Sequence, residues 1–209
     1  MIRPYLVIAI FLLISETMLA KDFNPFNSIC LKQKDSTWLK ENKVVICNNK
    51  LRVAAEYQIL NSTHGTRFTG GDVMLEYCYS KSFIIGLGSE FSHSKFHNDN
   101  GWNLYNLKFL PVFLDFKWTL TEGKRVIPFF HNSEGISFVG YEKENAFTID
   151  TPHHVAEKGF YFYSGVGMLL RLKKHFTPIV DLGFKGYHMS FNNLDINPHG
   201  LTLRLGVIF

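Results

Sequence analysis

From Leu51 to its end the chain alternates apolar with polar residues along one segment after another, and no stretch there is apolar enough to cross a membrane as a helix. The last segment sets Leu201, Leu203, Leu205, Val207 and Phe209 against Thr202, Arg204, Gly206 and Ile208. Val180, Leu182 and Phe184 oppose Asp181, Gly183 and Lys185. Val112, Leu114, Phe116, Trp118 and Leu120 oppose Phe113, Asp115, Lys117 and Thr119. Leu51, Val53, Ala55, Tyr57 and Ile59 oppose Arg52, Ala54, Glu56 and Gln58. Side chains of a strand point to opposite faces in turn, so each segment has one greasy face and one charged or small face.

A strand of a soluble sandwich or of a lipocalin-type barrel also alternates. Three features favour a membrane barrel. The segments exceed the usual globular strand of about 5–6 residues and suit tilted membrane strands of about 9–11. Their polar faces mix charges of both signs with Gly and Ala, as a narrow interior requires. The connections also alternate in length. Those at Ser80–Ser82, Thr121–Lys124 and Lys173–His175 are tight, while those at Asn61–Arg67, Lys95–Asn103, Tyr141–Lys158 and Asn192–His199 are longer. Short turns on one side and longer loops on the other mark an outer-membrane barrel. The expected strands are Leu51–Leu60, Phe68–Tyr79, Phe83–His93, Leu104–Leu120, Arg125–Phe138, Gly159–Leu172, Thr177–Ser190 and Leu201–Phe209. The expected fold is therefore all-β: an eight-stranded antiparallel up-and-down transmembrane β-barrel with short periplasmic turns and longer outer loops.

The N-terminus agrees with export. Arg3 precedes the apolar run Tyr5 to Ile14, and Ser15 to Ala20 ends in a small residue. That order is a signal peptide over residues 1–20; the apolar run is half the roughly 20 residues of a spanning helix. Residues 21–50 lack periodicity and read as a periplasmic lead-in, with the barrel domain over 51–209. Of three cysteines, Cys30 and Cys47 share the lead-in, where a disulfide between them and two unpaired thiols are both open. Cys78 falls inside a strand pattern.

An interior of eight strands is filled by side chains. The alternation places Arg52, Lys117, Arg171, Lys185 and Arg204 there, facing Glu56, Glu76, Glu90, Asp115 and Asp181. Unpaired buried charges are costly, so these should form a salt-bridged core rather than an ion path. Tyr77, Tyr79, Phe83 and Trp118 gather at the periplasmic ends, where an aromatic girdle belongs. The net charge of +4 is scattered singly. Nucleic-acid binding would need a clustered basic stripe, and no Cys-x-x-Cys spacing suggests zinc.

On the outer face, the register of Val180, Leu182 and Phe184 continues to Gly186, His188 and Ser190. A hydroxyl beside an imidazole is the start of a nucleophile and base pair; two polar residues in the headgroup layer would look the same. The segment Gly186 to Phe209 (GYHMSFNNLDINPHGLTLRLGVIF) resembles the ending of the PagL-type lipid A deacylases, the acyloxyacyl hydrolase family. Their pattern is His-x-Ser-Asn, then Asn-Pro-Gly, then a closing alternating strand. His188-Met189-Ser190 matches, and Asn197-Pro198-His199-Gly200 matches with one insertion.

The resemblance implies an eight-stranded outer-membrane barrel with its site on the lipid-facing exterior, Ser190 as nucleophile and His188 as base. Lipid A would be the substrate, with no cofactor. The family's Asn follows its Ser directly, whereas Asn192 and Asn193 stand further on; they are the candidates for an oxyanion role. The family's acid comes from the last strand, which here holds no Asp or Glu, and Asp195 in the loop is the nearest substitute. The partners implied are lipid A and the barrel assembly machinery. A second His-x-Ser, His131-Asn132-Ser133, falls at another outer strand end. His93 and His97 lie on a strand-to-loop segment, and His153-His154 reads as a solvated turn. The alternative is a non-enzymatic barrel, an envelope scaffold that displays its outer loops.

Overall fold

The computed structural model describes residues 51–99, 102–121, 125–145, 153–172, 176–189 and 197–209. The expected signal peptide and lead-in, with Cys30 and Cys47, lie outside these residues. Eight strands follow in order: β1 (Leu51–Ser62), β2 (Arg67–Cys78), β3 (Phe83–Asp99), β4 (Trp102–Thr119), β5 (Val126–Asn145), β6 (His153–Leu170), β7 (Thr177–His188) and β8 (His199–Ile208). Each pairs antiparallel with the next, and β1 pairs with β8, so the sheet closes into an up-and-down barrel without a free edge around its girth.

Alternation sets the polarity of the wall. In β1, Arg52, Ala54, Glu56 and Gln58 are buried inside while Leu51, Val53 and Tyr57 stand exposed. In β4, Phe113, Asp115, Lys117 and Thr119 point inward, and Val112, Leu114 and Trp118 point outward. Apolar side chains cover the exterior on all sides, with Val73, Leu87, Leu114, Ile136, Leu182 and Leu201 each more than half exposed. A soluble monomer rarely exposes a contiguous apolar patch beyond a few hundred Å². Greasy outside and charged inside is the polarity of a barrel lying in lipid, the inverse of the lipocalin-type alternative.

The strands overrun their expected bounds at the loop end. β3 and β4 continue to Asp99 and Trp102, which pair with each other, and β1 and β2 close over 63–66. β5 and β6 run on to Asn145 and His153. The polar residues expected in loops are strand residues of ribbons that leave the apolar belt, where water rather than lipid meets them. One irregularity shapes the ribbon: the β4–β5 register shifts between Tyr105 and Lys108, and Asn106 takes a positive φ of 55°. Asparagine tolerates this left-handed conformation better than most residues. The shift allows Leu104 and Leu107 both to be buried.

At the opposite end, Tyr77, Tyr79 and Trp118 are exposed, and Phe83 stacks on Phe116 with 6.3 Å between centroids. Cys78 ends β2 on the inward face, buried and disulfide-bonded. Cys30 and Cys47, the other two cysteines of the chain, lie outside the described residues. The alternation marks Cys78 as a strand residue but carries no sign that its inward face meets a second thiol.

Candidate functional site

Two places in the barrel concentrate chemistry, the interior and the outer rim at the loop end. Inside, Lys117 on β4 lies 2.6 Å from Glu76, 3.3 Å from Asp115 and 3.6 Å from Glu56. Arg52 holds Glu76 at 2.6 Å. Arg204 on β8 bridges Glu56 at 3.0 Å and Asp72 at 2.5 Å, with its guanidinium 4.6 Å from the Tyr163 ring centre. Higher up, Glu90 accepts from Lys185 at 2.9 Å, Tyr187 at 2.5 Å, Ser92 at 2.5 Å and Tyr161 at 3.2 Å. Lys185 also donates to Gln58. Each charge in this set is 8% exposed or less.

His131 and Ser133 were expected at an outer strand end, and the register places them inside instead. Both are fully buried. His131 Nε2 lies 2.5 Å from Asp115, its Nδ1 meets Asp181, and Ser133 donates to Asp115 at 2.7 Å. Carboxylates only accept, so an imidazole bridging two of them by both ring nitrogens is a cation. Serine, histidine and aspartate thus stand together, but the set is a structural charge cluster. Ser133 spends its proton on Asp115, and no substrate reaches a group with no exposed surface.

Arg171 lies just past the end of β6, half-buried at the tight-turn mouth, where its backbone N–H still donates to Arg125 across the ladder and its charge neighbours Arg52. Asp181 meets His131 in the core. Asp72 and His131 are interior charges that the expected set lacks, and Gln58 joins them as a hydrogen-bonding member, although all three lie on inward positions of the expected strands.

At the rim, His188 is the last residue of β7 and is exposed on the outer face. Ser190, Asn192, Asn193 and Asp195 lie outside the described residues. Across from His188 stands Phe160 on β6, itself paired with Ile136 on β5. Next to this row the outer wall carries a groove of about 640 Å³ lined by Phe91, Leu110 and Phe138 with Lys108 and Lys158. Leu110 pairs with Phe138 and Phe138 with Lys158, while Gly140 pairs with Ala156 and keeps the floor low. Lys158 and Phe160 share one face of β6, so the groove ends one step along the strand from the position opposite His188. Glu157 also lines it, so the apolar trough carries two lysines and one glutamate, a lining that suits an acyl chain with a polar head.

Asn132 and Glu134 on β5 also point outward, within the apolar belt, between Phe130 and Ile136. A carboxylate facing lipid is costly and marks function more often than packing. The same period-two count that finds His188 also finds Glu134. At the loop end, His97 points inward and shares a 2.7 Å hydrogen bond with Thr66, while His93 points outward. Among the described residues no group of three or more His, Cys, Asp or Glu could hold a metal ion.

No family model matches the chain, and no curated protein does. Among solved structures, Ail, the attachment invasion locus protein of Yersinia pestis, is similar at 9% identity over 76% of this chain and 96% of its own, with a TM-score of 0.49. A major outer membrane protein of Thermus thermophilus gives 13% identity, 77% and 99% coverage and a TM-score of 0.49. The N-terminal β-barrel domain of Pseudomonas aeruginosa OprF gives 14%, 76% and 97%, with a TM-score of 0.44.

Proposed function

We propose that this chain is an outer-membrane barrel with a sealed interior that works on lipid at its outer rim, as an ester hydrolase of the lipid A deacylase type. The observation that carries this reading is His188, exposed on the apolar exterior beside a groove that offers acyl-chain walls and two lysines. Ser190 would supply the nucleophile and His188 the base: the hydroxyl proton passes to the imidazole as oxygen attacks the ester carbonyl and then to the leaving alcohol, and water, deprotonated by the same imidazole, then attacks the acyl-serine to free the fatty acid and return the proton to Ser190. The packed interior supports placing the chemistry outside, because among the described residues the inward side chains fill the core. Insertion would be the work of the barrel assembly machinery.

The test uses the whole mature protein in detergent with lipid A, measuring released fatty acid. Ser190→Ala and His188→Ala should each abolish release while the folded barrel persists, and their effects should not add. Ala156→Trp, which fills the groove, should raise KM more than it lowers kcat. Lipid A left intact by the unaltered protein would end the hydrolase reading.

A second reading draws on the ribbons. β3, β4, β5 and β6 run 17, 18, 20 and 18 residues, against about 9–11 for a tilted membrane strand. A four-stranded sheet therefore extends beyond the membrane, which favours a display role for a barrel without activity.

A further inference from the structure

A second cavity at the loop end, of about 720 Å³, opens on the outside of the wall between β2 and β3. Arg67 and Thr69 line it from β2, and His93 and Lys95 line it from β3. Thr69 pairs with His93, and His93 pairs on its other side with Lys108 of β4. Arg67, Lys95 and Lys108 are exposed, so the cations form one arc across three adjacent strands. Inside the barrel the described cations meet carboxylates. Here Arg67 donates its Nε to Asn61 at 3.1 Å, and among the described residues no carboxylate pairs with Arg67, His93 or Lys95. Like charges set side by side repel, so the arc is a surface made for an anion.

Its height identifies the anion. Along β3 the outward residues run Phe83, Ile85, Leu87, Ser89 and Phe91, then His93 and Lys95. At about 3.4 Å per residue and the usual tilt of about 40°, Phe83 to Phe91 rises roughly 20 Å. That is most of the roughly 25 Å apolar band of such barrels. His93, Lys95 and Arg67 come directly above Phe91, in the polar layer of the outer leaflet. We propose that the arc of Arg67, Lys95 and Lys108 binds the phosphate of a phosphorylated glycolipid headgroup and so fixes the lipid in the adjoining acyl groove. The three basic groups give the phosphate its charge partners, and Thr69 adds a hydroxyl donor. The inference rests on the membrane placement of the barrel and is independent of ester hydrolysis.

The experiment reconstitutes the full mature chain into neutral phosphatidylcholine vesicles and titrates in lipid A, its dephosphorylated form, or inorganic phosphate, reading the thermal midpoint of the barrel. Lipid A should raise the midpoint. The dephosphorylated lipid and free phosphate should each do much less, the first for want of charge and the second for want of an acyl chain. Titrating fluorescent lipid A, Arg67→Gln and Lys95→Gln should each weaken binding about fivefold, near the worth of one cation at an anionic surface, and the triple variant with Lys108→Gln more. Equal stabilisation by phosphorylated and dephosphorylated lipid, or unchanged binding by the triple variant, would overturn the proposal. Stabilisation by free phosphate as strong as by lipid A would reduce the arc to a soluble-anion site and overturn it too. Failure of the unaltered chain to insert into vesicles would instead overturn the membrane placement.

Discussion

Replacing Lys117 with methionine tests whether the interior is as dry and as fully paired as its geometry implies. Methionine is unbranched like lysine and only one atom shorter, so most of the packing is kept and the main loss is of charge. Lys117 touches three carboxylates, at 2.6, 3.3 and 3.6 Å. Their losses do not simply add, because each retains another cation. Glu76 keeps Arg52 at 2.6 Å, Glu56 keeps Arg204 at 3.0 Å, and Asp115 keeps His131 at 2.5 Å. Breaking a buried pair from one side costs about 3–5 kcal/mol, and these remaining partners place Lys117→Met at the lower end, about 3 kcal/mol. A second variant, Lys117→Met with Glu76→Gln, removes the closest surplus charge and should recover part of the loss. The assay is urea unfolding of the barrel refolded into vesicles, followed by gel mobility and tryptophan fluorescence. A cost below about 1 kcal/mol would mean that water already solvates the carboxylates, since solvated ion pairs contribute about that little. Single-channel recording would then find a conducting path, and the sealed core would be wrong.

Leu182→Lys puts a charge on the outer face in the middle of β7; in the same refolding titration it should cost about 2–4 kcal/mol near the midplane, and a neutral result would mean the strand is out of register. His131→Ala should destabilise more than Ser133→Ala, because Asp181 loses its cation while the serine only loses a hydrogen bond; fatty-acid release should survive Ser133→Ala in barrels that fold. Gly88→Leu should hinder folding, because a Cβ there would already stand 2.6 Å from the Phe113 ring and 2.7 Å from Met74; refolding yield reads this directly. Cys78→Ser should lower unfolding resistance only under oxidising conditions, and equal loss with reductant present would assign the effect to packing instead.

The wall is legible in the sequence because one rule generates it. Period two decides which residues of β1, β4 and β8 meet lipid and which meet each other, and that rule holds wherever the strand is regular. It fails where a different constraint takes over. The ends of β3 to β6 escape it because above the membrane neither face needs to be apolar, so the alternation that marks a strand fades while the hydrogen-bonded ladder continues. Arg171 keeps the inward phase past the end of β6, and at the mouth of the barrel it is half-buried beside the charge of Arg52. His131 has the inward phase, but its neighbour Ser133 gives it the look of an outer motif. Which of two His-x-Ser pairs faces lipid depends on parity, and His131 differs in parity from the outward Phe130, Asn132 and Glu134.

Parity also bears on function. A filled interior removes the lumen from consideration, so any activity must sit on the outer wall or beyond the membrane. On that wall a polar side chain has to overcome the cost of facing hydrocarbon, and the apolar belt of most strands obeys. The exceptions include Asn132 and Glu134 on β5, Lys158 on β6 and His188 at the end of β7, and Lys158 lines the groove of Phe91, Leu110 and Phe138. The groove lies next to the basic arc of β2, β3 and β4, and on the proposed reading the wall there offers both the charge to hold an anionic lipid head and the apolar trough to hold its chain. A display protein has no need of either below its ribbons, and it is this lipid-facing side, rather than the ribbons, that favours a lipid substrate.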